Sequence, residues 1–139
     1  MSKAGGMHAA KRLVTSIDIN EAAGAEFNSD HRTSISALHE LELADGQRLT
    51  LLDDRGWSSS GPGDIWAYES MQGMVETARV VVGPDEPPEG RTPEEEAALH
   101  WAYLADIAQS HGVHIEAGGL AALPHDVDVS PAIRARLPR

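Results

Sequence analysis

Apolar and polar residues alternate most regularly between Ser34 and Asp53, where two runs flank Ala44-Asp45-Gly46. Asp-Gly ordinarily signals a two-residue type I′ turn, which here would pair Leu43 with Arg48 and Leu41 with Thr50, apolar against polar. A three-residue loop over 44–46, with Gly46 in the left-handed position of a G1 bulge, pairs Leu41 with Leu49 and His39 with Leu51. It also sets Glu42 across from Arg48 on the solvent face, a favourable cross-strand pair. A slip of one residue would turn each apolar set to the wrong face, so the bulged hairpin is the expected one. Its apolar face, formed by Ile35, Ala37, His39, Leu41, Leu49 and Leu51, needs a cover.

Before the hairpin, Leu13, Ile17 and Ile19 alternate with Ser16 and Asp18 as a strand does, and residues 20–32 read as loop. After it, Asp53-Asp54-Arg55-Gly56-Trp57 stands at the exit of a strand, and Ser58-Ser59-Ser60-Gly61-Pro62-Gly63 has the composition of a flexible loop. Ile65–Tyr68 is rich in β-branched and aromatic residues and is expected as a short strand. Ser70 can cap a helix through about Val81, although Gly73 weakens it and residues 80–82 suit helix or strand. The rigid acidic stretch 83–90 leads to the strongest helix start in the chain: Thr92 as N-cap, Pro93 in the first turn and Glu95 closing a capping box. That helix is expected over 93–111, stopped by Gly112, with Ala97, Trp101, Leu104, Ala105 and Ala108 as the stripe that covers the hairpin. Residues 113–116 and 127–129 suggest strands, 118–123 a turn or brief helix, and Ser130-Pro131 caps a last helix ending near Leu137. The fold class that follows is α+β, an antiparallel sheet built around the 34–53 hairpin and covered on one face by the 93–111 helix. Residues 1–12 are expected as a poorly ordered basic tail and 13–139 as a single domain.

Charge sharpens this picture. The chain of 139 residues carries 22 acids against 11 Lys and Arg, a formal charge of -11. All 22 acids lie in 17–129 with five arginines, so this body carries -17, and each end carries +3. Such a field opposes nucleic acid, whose binding rests on clustered Lys and Arg. It suits a basic protein partner, with basic ends folding back on the acidic body. There is no cysteine, which excludes disulfides, Cys-ligated zinc and a thiol nucleophile. No apolar run approaches the roughly 20 residues of a membrane span, and no apolar segment precedes the first strand as a secretory signal would. The expected setting is the cytoplasm, away from membranes.

Three constellations are candidates for chemistry. His111, His114, His125 and Asp126, with Glu116 and Asp128, offer imidazole and carboxylate ligands for a metal, although His111 and His114 straddle a helix end and share no fixed face. Asp53, Asp54, Arg55 and Trp57 combine charge with an aromatic ring beside a Gly/Ser/Pro loop, a setting for a cationic or planar ligand. Glu96, His100 and Tyr103 stand at helical spacing for acid–base work, with no substrate pocket marked. A nucleophile elbow and a phosphate loop are both absent. No catalytic residue, metal or cofactor is therefore assigned. The leading expectation is a non-catalytic acidic binding module that docks a basic protein partner or forms a homo-oligomer. The rivals are a metal-dependent or acid–base enzyme using the C-terminal histidines and acids, and a small-ligand binder using the 53–57 loop.

Overall fold

The computed structural model describes residues 9–138 and has an α+β architecture. Its strands are β1 (Ala10–Ile19), β2 (Arg32–Leu43), β3 (Arg48–Ser60) and β4 (His125–Val129), and its helices are α1 (Met71–Val81), α2 (Pro93–Ser110), α3 (Ala117–Ala121) and α4 (Pro131–Arg136). The strands form one sheet in the order β3-β2-β1-β4. The Ala44 N–H bonds the Ala9 carbonyl and the Asn20 N–H that of Ser34, so β1 and β2 are antiparallel. By contrast, Leu13 donates to Pro124 and Ser130 to Ile17, so β4 runs parallel to β1. The sheet is thus mixed rather than wholly antiparallel. No tight turn joins β1 to β4, and nothing local imposes the antiparallel sense that a hairpin imposes.

The described residues divide into two compact units, one from those within Met1–Val14, His39–Leu52 and Gly83–Asp126, the other from those within Thr15–Leu38, Asp53–Val82 and Val127–Arg139. In the first, the hairpin has the expected bulged form. Gly46 donates to the Leu43 carbonyl, Leu43 donates to that of Gln47, and Gly46 has φ +90°, the left-handed conformation the bulge requires. Leu41, Leu51 and His39 are buried, and so are Glu42 and Leu43: Glu42 does not lie on an open solvent face, because Lys11, Arg12 and Arg48 gather around its carboxylate. Strand β1 starts at Ala10, so Lys11 and Arg12 are strand residues rather than part of a 1–12 tail; residues 1–8 lie outside the described ones. Acidic partners hold both: Lys11 pairs with Glu42 at 3.5 Å, and Arg12 reaches Glu42 at 2.9 Å and Asp126 at 2.6 Å.

Helix α2 begins as expected. Thr92 Oγ1 accepts from the Glu95 N–H, and Glu95 accepts from the Thr92 N–H. Those bonds from Thr92 hold the Glu95 carboxyl below its usual range. The buried side of the helix is His100, Leu104, Ala105 and Ala108, with Trp101 only half-buried, and α2 packs against α3. Residues 113–116 form no strand. Val113 donates to the Ala108 carbonyl and Gly112 to that of Gln109, with Gly112 at φ +86°: a Schellman cap takes the amide a strand would have used.

In the second unit, β3 continues through Ser60, well past the expected end of the hairpin near residue 53. Pairing overrides the loop-like serines: Gly61 donates to the His31 carbonyl beyond the strand end, and only Gly61–Asp64 remains as connection. Residues 65–68 form a 3-10 turn rather than a strand, because the Asp64 side chain caps it by accepting from the Trp66 N–H. Ser70 caps α1 by accepting from Gly73, and helix reaches Val81. Ser130 caps α4 by accepting from Ile133. Ile17, Ile35, Trp66, Met74, Ala78 and Ile133 are among the buried residues of this unit.

Candidate functional site

Alternation along a strand sends successive side chains to opposite faces. In the second unit this brings polar residues of all four strands to one groove of about 490 Å³. Strand β1 supplies Ser16 and Asp18, β2 supplies Ser36 and Leu38, β3 supplies Asp53, and Asp128 stands on β4, with Ser130 and Pro131 following it. Ile17, Ala37 and Val129 also line the groove and add apolar surface. Asp18 is fixed: its Oδ1 accepts from Ser130 Oγ at 2.7 Å and from the Ile19 N–H at 2.8 Å. Asp53 and Asp128 are exposed and face solvent.

The residues of 53–57 lie within β3, not in a loop, and they do different things. Asp53 lines the groove. Asp54 is 81% exposed, with Arg55 Nε 3.9 Å from its Oδ1. Arg55 also donates to the Val81 carbonyl at 3.1 Å, satisfying an acceptor at the end of α1 where a cation is favoured. Trp57 is half-buried. Gly56 has a steric reason to be glycine: a Cβ there would lie 2.3 Å from the Ile35 carbonyl oxygen. The loop after β3 is pinned as well, by His31 Nδ1 2.9 Å from the Gly63 carbonyl and by Ile65 donating to that of Asp30.

The C-terminal histidines and acids do not assemble. Among the described residues there is no group of three or more His, Cys, Asp or Glu able to hold a metal ion. His125 stacks edge-on against the buried His39 with ring centres 5.2 Å apart, Asp126 receives Arg12, and His111 and His114 are exposed. The acid–base trio lies on α2 in different surroundings: Glu96 pairs with Arg91 at 2.7 Å, His100 is buried beside the Trp101 ring, and Tyr103 is exposed.

The strongest electrostatic feature belongs to the first unit. The Glu42 side chain, 9% exposed, accepts from Arg12 at 2.9 Å and from Arg48 Nε at 3.1 Å. The bond from Arg12, aided by that from Arg48, outweighs desolvation and holds the carboxyl down at about 2. In the second unit Arg136 reaches Asp30 at 3.0 Å and lies over the Trp66 ring. Basic residues from near both chain ends are therefore engaged by acids, as expected. Asp18 and Ser130 were absent from the expected site. Their only signal was strand alternation, and it did not show that β4 would lie beside β1. No helix among the described residues is long and apolar enough to cross a membrane. No protein-family model, curated protein or solved structure matches this chain.

Proposed function

We propose that this chain is a non-catalytic binding module that docks a basic segment of a protein partner, with the groove of Asp18, Asp53 and Asp128 as its recognition surface. One observation carries the reading. Three strands each deliver a carboxylate to one groove with apolar surface between them, and these carboxylates form no metal-binding group. Separated carboxylates suit several Lys or Arg heads on one chain, and the apolar surface suits the methylene stems of those side chains. The -11 chain adds long-range attraction for a basic partner and repulsion for nucleic acid. A cytoplasmic setting belongs to the same proposal; the chain contains no cysteine, so it draws no stability from an oxidising compartment.

The test uses a labelled peptide of alternating lysine and serine, its glutamate–serine counterpart, and fluorescence anisotropy at low and moderate salt. The lysine peptide is expected to bind, to lose about tenfold or more in affinity as salt rises, and to bind weakly to the triple variant Asp18→Asn, Asp53→Asn, Asp128→Asn. Equal affinity for the variant, or indifference to salt, would overturn the reading.

A further inference from the structure

Strand β3 is 13 residues long and closes the sheet on one side: β2 lies against it, and no strand lies beyond it among the described residues. Gly61 directs its N–H toward β2, at the His31 carbonyl. Alternation in an antiparallel ladder then turns the amides of Ser60 and Ser58 outward. Native edges are commonly blunted by proline, by a covering segment or by charge. Asp53–Ser60 has no proline, and it carries charge only at Asp53, Asp54 and Arg55. Gly56, Ser58 and Ser60 are small and exposed, so a second backbone can come close. The end of this edge also lines a hollow of about 570 Å³, which Ser59, Ser60, Ile65, Tyr68 and Glu69 share with Pro62 just past the strand, with Tyr68 89% exposed.

We infer that the outer edge of Asp53–Ser60 takes up an extended basic segment of the partner as an added strand, one apolar side chain of which enters the hollow beside Tyr68. The inference rests on the basic-partner reading and adds the mode of docking. Charge selects the occupant. A second copy would bring -11 against -11, whereas a basic strand meets Asp53 and Asp54 at one end and Glu69 at the other. The groove reaches β3 at Asp53, where this edge stretch starts, so one segment can engage both.

The experiment compares two nonapeptides of alternating lysine and valine, one with its internal amides N-methylated so that charge is kept and the donors of both edges are lost. Each is titrated into the full ¹⁵N-labelled chain and followed by NMR, with sedimentation as a control. The unmethylated peptide is expected to bind about tenfold tighter or more, because the methylated one forgoes two or three hydrogen bonds, and to slow amide exchange at Ser58 and Ser60. Equal affinities would overturn strand addition while leaving the basic-partner reading intact. Failure of these peptides and of the lysine–serine peptide together would overturn both. A dimer of the free chain that protects the Ser58 and Ser60 amides would assign the edge to a second copy and likewise overturn the inference.

Discussion

Replacing Gly56 by alanine tests the backbone geometry on which the candidate site depends, and the sign of the effect is diagnostic. Elsewhere in a strand, Gly→Ala removes freedom from the unfolded chain and stabilises by about 0.5–1 kcal/mol. At Gly56 the new methyl would sit 2.3 Å from the Ile35 carbonyl oxygen, where ordinary contact begins near 3.4 Å, so backbone must move by about 1 Å. Forcing a group of that size into a fixed backbone costs about 1–3 kcal/mol, enough to reverse the entropic gain. The expected net loss is about 1–2 kcal/mol, or roughly 3–8 °C in Tm for a chain of this length. Urea unfolding followed by far-ultraviolet circular dichroism measures it, and Gly63→Ala is the control, since Gly63 has open space around its virtual Cβ. A Gly56→Ala chain as stable as the Gly63→Ala chain would refute the close approach of β3 to β2.

The remaining predictions concern electrostatics, capping and packing. Glu42 titrates at about 2 in the folded chain against an ordinary 4.5, so its contribution is complete above about pH 4.5 and is lost as pH falls toward 2. Glu42→Gln should therefore destabilise the protein at pH 7 and flatten the acid limb of the stability profile; an unchanged profile would show that the arginine pairs contribute nothing. Thr92→Ala should cost about 1 kcal/mol in urea unfolding by removing one half of the capping box, while Thr92→Ser should cost little. Ile133→Ala empties a fully buried position and should cost about 2–5 kcal/mol, seen as a fall in the urea midpoint with the slope retained.

What the sequence made legible was local chemistry. The bulged hairpin followed from facing Leu41 with Leu49 and Glu42 with Arg48, and the structure joins the latter two by a hydrogen bond. The caps at Ser70, Thr92 and Ser130 followed from hydroxyls placed before helical runs, and each accepts the amide three residues on. The errors arose where a distant or side-chain partner overruled composition. Three serines form strand because β2 lies alongside them, Ile65–Tyr68 turns because Asp64 caps it, and Val113 is taken by the end of a helix. Of the candidate site, Asp53 was legible as an acid at a strand. Its association with Asp18 and Asp128 was not, because it depends on β4 entering the sheet beside β1 in the parallel sense.

That arrangement also bears on how the sheet is completed in time. The hairpin closes over a few residues, but β1 gains its second neighbour only from a segment made much later, as the Asp18–Ser130 bond, spanning 112 residues, illustrates. Closing so long a loop is entropically costly before its contacts form, and non-local parallel pairing is slow. During synthesis, β1 is therefore an unfinished margin until β4 has emerged, and the groove bearing Asp18 and Asp128 comes into being last. The proposed affinity of this groove for the lysine–serine peptide should thus appear as a late kinetic phase of refolding, after the hairpin has acquired its protection.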